Sequence, residues 1–111
     1  MPLPPSVLHI LLALADADRH GYAIMREVQT LSGGRISMGP GTLYGSIRRM
    51  LEQGLIEETD ARPDPVLDDE RRRYYRLTSH GRNVAAAECD RLADLVAVAD
   101  ARKLRLAGGA L

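Results

Sequence analysis

The sequence feature that most constrains the fold is a helix between two glycines, Gly39 and Gly54. Pro40 suits the first helical position because its missing N–H would be unpaired there in any case. Gly54 ends the helix, since glycine adopts the left-handed cap conformation without a Cβ clash. Between them, apolar residues follow the spacing of one buried face, namely Leu43, Ile47, Met50 and Leu51. The rest of the chain must therefore cover one side of this central helix.

The opposite, outward face of the central helix is small at its N-terminal end and cationic further along. It comprises Gly41, Thr42, Gly45, Arg48, Arg49 and Glu52, with Tyr44 at its edge. Small residues allow another surface to approach, arginine forks suit phosphates and guanine edges, and a helix N-terminus attracts anions. These properties suit a helix that lies in a DNA major groove. The alternative is a solvated amphipathic helix whose two arginines serve solubility.

A chain of 111 residues makes a single domain that buries about two-thirds of the surface of its unfolded form. Its 15 basic and 15 acidic residues cancel, so the net charge does not indicate the partner. The distribution is uneven, because residues 35–49 and 71–82 carry arginines without acids, whereas residues 50–70 carry eight acids and one arginine. Two basic segments therefore flank an acidic one.

The sequence offers no pattern typical of an enzyme, a metal site or a membrane protein. Its one cysteine cannot form an intrachain disulfide, and it contains no signal peptide or long apolar span, so we expect a cytoplasmic protein. The three histidines fall on different elements, and no phosphate-binding glycine loop or pair of carboxylates stands out. We predict no catalytic residue, no metal and no cofactor.

Two helices are expected ahead of the central one. Ser6 is predicted to cap a helix over Val7–Ala15, whose apolar run would be buried nearly all round, partly against a second subunit. Asp16–His20 is interpreted as a polar turn, and Gly21–Leu31 resumes helical spacing.

The segment between the second helix and the central helix alternates polar and apolar residues. Arg35–Met38 is therefore predicted to be a short strand or an extended connector that places Ile36 and Met38 on the core. This connection is longer than the turn of the tightest helix-turn-helix units, which favours a looser, winged variety.

Two strands are predicted after the central helix, over residues 55–59 and 72–78. The two prolines and five acids of residues 60–70 make their connection a solvated loop, so the strands form a hairpin, or wing. In the second strand, Tyr75 and Leu77 are expected to face the core. The outward face of that strand would then hold Arg72, Tyr74 and Arg76.

The last predicted helix begins at Thr78 or Ser79 and continues to about Leu106. Steps of four and three residues along it form a heptad seam at Ala85, Cys89, Leu92, Val96 and Ala99. Because seams of this kind bind another helix, we expect a homodimer. The first helix of the partner would complete it through Val7, Leu8, Leu11 and Leu12. Cys89 is interpreted as a small core residue rather than a reactive thiol.

Taken together, these elements predict a mainly α fold with a small β-wing. A winged helix-turn-helix DNA-binding domain is expected over residues 1–78, a C-terminal dimerisation helix over residues 79–107, and a frayed tail over residues 108–111.

Four motifs occur in order along the chain, namely His20–Ile24, Gly39–Tyr44, Met50–Ile56 and Tyr74–Gly81. Together they resemble the signature segments of the PadR family of bacterial transcriptional regulators. The resemblance implies a homodimeric repressor that binds a palindromic operator in double-stranded DNA. It would insert the central helix into the major groove and lay the wing beside it, with the two central helices of the dimer about 34 Å apart.

Carried over to this chain, the resemblance places Tyr44 at a phosphate and puts the family's basic wing residues at Arg71, Arg72 and Arg73, followed by its tyrosine at Tyr75. We assign Thr42, Arg48 and Arg49 to base edges or adjacent phosphates. The full predicted DNA-binding set is Ser37, Gly41, Thr42, Tyr44, Gly45, Arg48, Arg49, Arg71, Arg72, Arg73 and Tyr75.

The resemblance also raises the question of a small-molecule effector, because such regulators release DNA when a ligand wedges between subunits. Tyr22, near the first helix, and the apolar junction of the first and last helices are the candidate walls of such a site. The absence of tryptophan and phenylalanine favours a packed interface without a ligand.

The alternative to a DNA-binding regulator is a winged-helix module that binds another protein. Such a module would use the acidic loop and the apolar helices, and it would not bind DNA sequence-specifically.

Overall fold

The computed structural model describes residues 2–59 and 73–106. Its elements are α1 (Pro5–Ala13), β1 (Arg19–His20), α2 (Gly21–Leu31), α3 (Pro40–Glu52), β2 (Ile56–Thr59), β3 (Tyr74–Leu77) and α4 (Ser79–Ala101). The fold is mainly helical with a small antiparallel sheet, which confirms the predicted fold class. The predicted acidic loop over residues 60–70 and the predicted tail over residues 108–111 lie outside the described residues.

The central helix, α3, begins and ends where the sequence predicted. Pro40 is its first residue, and Gly54 follows its end with φ of +73°. The Leu55 N–H then donates to the carbonyl oxygen of Met50 at 2.9 Å, which closes a glycine-dependent helix cap. The buried face is the predicted one, and it also includes the side chain of Ser46.

The helix α2 confirms the predicted Gly21–Leu31, and its first turn is capped by the preceding histidine. The His20 side chain accepts a hydrogen bond from the Ala23 N–H at 3.1 Å. Residues 35–39 after the helix form no strand, so this segment is a connector. As predicted, Ile36 and Met38 pack against the core.

The short strand lies before α2 rather than after it, within the segment predicted to be a polar turn. Arg19 pairs with Tyr75 and His20 with Tyr74, so the sheet has the order β1-β3-β2. The Arg19 Nε–H also donates to the carbonyl oxygen of Ala13 at 2.7 Å, which ties β1 to the end of α1. Two residues are too few for strand periodicity to be visible in a sequence.

The added strand also corrects the predicted orientation of Tyr74. This side chain was expected to face outward, but it is 6 % exposed. The His20 ring packs edge-on against it with 5.4 Å between ring centroids. Tyr75 is buried as expected, and Arg76 is exposed as expected.

The first helix has the predicted length of nine residues but lies two residues earlier in the chain, and it is buried on one side only. It begins at Pro5 and ends at Ala13, and Leu12 remains 38 % exposed. Leu11 is fully buried in the chain's own core and Leu8 nearly so. These two residues therefore have little surface left for a partner, which corrects their assignment to a dimer interface.

The last helix begins as predicted but ends earlier. The Thr78 hydroxyl caps its first turn by accepting from the Gly81 N–H at 2.9 Å. Lys103 adopts a left-handed conformation with φ of +59°. The Arg105 Nε–H then donates to the Asp100 carboxylate at 2.7 Å. The chain therefore leaves the helix after Ala101 rather than near Leu106.

Within the described residues, every helix is too short or too polar to cross a lipid bilayer.

Candidate nucleic-acid interface

The predicted outward face of α3 is a continuous accessible surface. Leu43, Ile47 and Met50 are at most 2 % exposed and turn the opposite side of the helix into the core. The accessible residues are Gly41, Thr42, Tyr44, Arg48, Arg49 and Glu52, with Gly45 half-buried among them. The structure thus brings together the seven predicted residues of α3. Ser37 is exposed on the connector that leads to this helix.

The two glycines of this face are not required by the packing of the described chain. A Cβ built on Gly41 meets no atom within 4 Å, and one built on Gly45 meets only Arg49 Nη1, at 3.8 Å. Both glycines have negative φ values, so no left-handed backbone explains them either. What they provide is a shallow place on the helix where a rigid partner could approach the backbone.

Tyr44 lies at the edge of this face, over the start of α2. A Cβ built on Gly21 would overlap the Tyr44 hydroxyl and would lie 2.8 Å from the ring carbon Cζ. Gly21 therefore makes room for the phenol ring, which remains 46 % exposed. No pattern in the sequence indicated this role of Gly21, because the role depends on how two helices cross.

The two arginines of α3 have different surroundings. Arg49 donates from Nη2 to the Ser46 hydroxyl at 3.3 Å. It also borders a cleft of about 350 Å³ between α3 and the residues around the start of α1. Arg48 follows Gly41 and Gly45 by seven and three residues, which places it on the same side of the helix as these glycines. Arg48 is therefore the better placed of the two to reach a base edge.

The two sides of the wing carry opposite charges that pair with each other. Arg73 donates to Glu58 at 3.1 Å, and Arg76 donates to Glu57 at 2.8 Å. Arg73 is exposed, as expected for a phosphate contact, whereas Arg71 and Arg72 lie outside the described residues. The two glutamates were not part of the predicted site.

Tyr75 belongs to the core rather than to the accessible surface. It is 4 % exposed, so little of its side chain is left for a nucleic acid to contact, which corrects its assignment to the DNA-binding set. Burial is the main cause that raises the pKa of its hydroxyl, followed by the nearby carboxylate of Glu58. Tyr75 therefore serves the packing of the wing on the core.

The C-terminal half of α4 exposes the apolar residues that the dimer hypothesis needs. Leu92 and Val96 of the predicted seam are 36 % and 40 % exposed, and Cys89 and Ala99 are half-buried. Leu95 and Val98, which the heptad pattern did not include, are also exposed. Ala85 is buried in the chain's own core, which corrects its place in the predicted interface.

A helix pair on an apolar core, followed by an antiparallel hairpin and a long helix, defines the winged-helix class of domains. Residues 10–87 match the model of the Transcriptional regulator PadR-like family. This match covers more than half of the chain, so the chain belongs to the PadR family of transcriptional regulators, as its four motifs predicted.

Two relatives illustrate the similarity in sequence. Transcriptional regulator Rv3488 of Mycobacterium tuberculosis is 40% identical over 75 residues, which are 68% of this chain and 64% of that protein. An uncharacterized 37.1 kDa protein in transposon TN4556 of Streptomyces fradiae is 36% identical over 86 residues, which are 78% of this chain and 22% of that protein. The chain thus matches less than two-thirds of the length of either relative.

Solved structures show the same fold. A PadR family transcription regulator from Clostridium difficile R20291 has a TM-score of 0.70 and 22% identity, covering 87% of this chain and 96% of that one. RosR of H. salinarum has a TM-score of 0.68 and 28% identity, covering 91% and 84%. Bacillus subtilis PadR in complex with operator DNA has a TM-score of 0.60 and 18% identity, covering 73% and 44%.

Proposed function

We propose that this regulator acts by binding DNA sequence-specifically, as a homodimer on a palindromic operator. The observation that carries the proposal is the outward face of α3. Its glycines leave space that the described chain does not fill, next to the exposed fork of Arg48. A helix with this surface fits the major groove, where arginine reads guanine through two hydrogen bonds.

Several residues around α3 are placed to fix the helix on the duplex. Tyr44 is exposed on α3 itself, Ser37 is exposed on the connector that precedes it, and Arg73 is exposed at the start of the second wing strand. Hydroxyl and guanidinium groups of this kind contact phosphates, which set the register of a protein on DNA without reading its sequence. Bacillus subtilis PadR, which shares the fold, was solved in complex with operator DNA.

The dimer is supported by the exposed apolar side chains of α4. A helix that leaves Leu92, Leu95 and Val96 in water gains free energy when a second copy covers them. Two copies related by a twofold axis would present two α3 helices to successive major grooves, about 34 Å apart. We also propose that the bound dimer represses transcription, because it occludes the duplex that it covers.

Selection of duplexes from a random pool by the purified protein tests this function. We expect enrichment of an inverted repeat whose half-sites are about one helical turn apart. Binding of the enriched duplex, followed by fluorescence anisotropy, should weaken steeply with salt. A reporter gene placed behind the enriched sequence should lose expression when the protein is present.

Absence of any enriched sequence, together with absence of salt-dependent binding to duplex DNA, would instead favour the protein-binding alternative.

A further inference from the structure

Two ion pairs connect the two sides of the wing, and they lie on opposite faces of the sheet. Glu57 lies opposite Arg76 in the strand register and bonds to it, whereas Glu58 lies opposite Tyr75. Successive side chains of a strand point to opposite faces. The pair of Glu58 and Arg73 therefore lies on the Tyr75 face, and the pair of Glu57 and Arg76 lies on the other face.

The Tyr75 face of the sheet is the one that packs on the core, to which α3 also contributes. Tyr75 belongs to the same core cluster as Leu43 and Ile47 of α3, and after burial the nearby Glu58 and Tyr44 raise the pKa of its hydroxyl. The positive charge of Arg73 lowers the pKa of the same hydroxyl. The pair of Glu58 and Arg73 is thus close to Tyr44, at the edge of the surface proposed to bind DNA.

The contact between Glu58 and Arg73 resembles the contact that Arg73 would make with DNA. A guanidinium donates to carboxylate oxygens and to phosphate oxygens in the same way. The side chains of Arg73 and Glu58 are 69% and 45% exposed, so water and salt weaken their pair and a phosphate can compete for the arginine.

We propose that Glu58 holds Arg73 as an internal substitute for a DNA phosphate. Arg73 exchanges the carboxylate of Glu58 for a phosphate when the regulator binds a duplex. This inference rests on the proposed function. The exchange lowers affinity for every duplex, since phosphate contacts carry no sequence information. Glu58 is therefore a residue that limits sequence-independent binding and leaves recognition to α3.

The test is a double-mutant cycle with a charge-matched control. Glu58→Gln and Glu57→Gln are each made in the original chain and in the Arg73→Ala variant. Binding to a random-sequence duplex is measured by fluorescence anisotropy across a series of KCl concentrations. Thermal unfolding of each variant checks its fold, and Glu58→Ala provides a second removal of the carboxylate.

We expect Glu58→Gln to bind the random-sequence duplex about two- to fivefold more tightly, the range that follows from breaking one exposed ion pair. The gain should disappear in the Arg73→Ala background and should shrink as KCl rises. Glu57→Gln removes the same charge on the other face and should change binding clearly less.

Three results would overturn the inference while leaving DNA binding intact. These are unchanged or weaker binding by both Glu58 variants, a gain that persists in the Arg73→Ala background, and an equal gain from Glu57→Gln. Absence of salt-dependent binding by the original chain to any duplex would overturn the proposed function as well.

Discussion

Arg48 and Arg49 are adjacent in sequence, yet the structure gives them different surroundings. Arg49 bonds to Ser46, borders the cleft near α1 and brings Nη1 to 3.8 Å from a Cβ built on Gly45, whereas Arg48 is exposed on the side of the helix that carries both glycines. Neighbouring residues of a helix point about 100° apart, so only one of two neighbours can be centred on a given face. A direct contact with bases is therefore assigned to Arg48 first.

Replacement of Arg48 by alanine should weaken binding to the selected operator by about 1 to 3 kcal/mol and relax preference at one base pair of each half-site. Anisotropy titrations with operator variants measure both effects. Arg49→Ala is the matched control and should change base preference less. Equal loss on operator and random-sequence DNA after Arg48→Ala would contradict the assignment to a base.

Replacement of Gly45 by alanine should raise stability and lower DNA affinity at once. Alanine is preferred over glycine in a helix interior by about 0.5 to 1 kcal/mol, and the new methyl group meets only ordinary contact. The same methyl group would occupy the space proposed for DNA. Thermal unfolding and anisotropy measure the two effects.

Gly54→Ala is the control for Gly45→Ala, because φ of +73° makes alanine unfavourable there. It should lower stability, and a gain in stability without loss of DNA affinity in Gly45→Ala would argue against close approach at that position.

Residue-scale predictions succeeded where a local rule decides the outcome. The spacing of Leu43, Ile47 and Met50 sufficed for the buried face of α3, and Gly54 sufficed for its end. Tyr74 could not be placed in this way, since its burial depends on a strand from a distant part of the chain. The pairing of Glu58 with Arg73 likewise requires the strand register.

At the scale of elements, the start of α4 is fixed against the beginning of the wing. The Thr78 hydroxyl donates to the carbonyl oxygen of Gly54 at 2.6 Å while it caps its own helix. A Cβ built on Gly81 would overlap the carbonyl oxygen of Leu55 and lie 2.8 Å from its carbon. The helix and the chain before β2 thus touch through backbone atoms.

Gly81→Ala should therefore destabilise the protein by about 1 to 3 kcal/mol, the usual cost of forcing extra volume into a packed contact. The midpoint of urea unfolding measures the change. Gly45→Ala makes the same substitution in open surroundings and should shift the midpoint in the other direction. An unchanged midpoint for Gly81→Ala would show that α4 can move away from Leu55 without cost.

Glu88 links α4 to the residues ahead of α1 and should make stability depend on acid. Arg91 donates to its two carboxylate oxygens at 2.7 and 2.8 Å, and the Leu3 N–H donates at 3.1 Å. The hydrogen bonds from Arg91 are the main cause that lowers the pKa of Glu88 from 4.5 to about 2. A carboxyl whose folded pKa is depressed stabilises the fold above its unfolded pKa and loses that contribution as pH falls.

We expect Glu88→Gln to be less stable than the original chain at neutral pH. The difference should narrow as pH falls from about 5 towards 2, because the original carboxylate becomes protonated there. Urea unfolding at a series of pH values measures the gap. Asp94→Asn, an exposed carboxylate of the same helix, controls for the loss of one negative charge, and a gap that stays constant with pH would contradict the role of Glu88.

Long periodic elements were predictable, and short or irregular ones were not. The helices α2 and α3 have clear apolar spacing and terminal glycines, whereas β1 has two residues and no pattern of its own. The end of α4 was missed because Lys103, rather than a glycine, takes the left-handed position there. A fold-back contact between Arg105 and Asp100 accompanies that turn.

At the scale of the whole molecule, α4 extends away from the rest of the chain. Its buried residues, which are Gly81, Ala85 and Glu88, all lie in its first half, and the described residues measure 52 Å in their longest dimension. The second half is therefore available to a second copy. Sequence periodicity indicated such a surface, but only the fold showed that Ala85 is already covered.

Substitution of Leu92 and Val96 together by glutamate should convert the proposed dimer into a monomer, because two charges would be buried at the contact. Operator binding should weaken by about 100-fold or more, since the two α3 helices would no longer bind as one unit. Light scattering measures the mass, and anisotropy measures binding. Ala97→Glu, an exposed residue outside the seam, is the control and should remain dimeric.

A monomeric original chain, or a double variant that still binds the operator as well as the original, would contradict this arrangement.

The length of α4 has a mechanical consequence for the proposed dimer. A helix of 23 residues is a rod about 35 Å long, held by its own domain at one end only. If the partner contacts the other end of α4, a small change in the angle between the two α4 helices is amplified along their length. The two α3 helices would then shift relative to each other. A change at the subunit contact would therefore alter, above all, the half-site spacing that the dimer prefers.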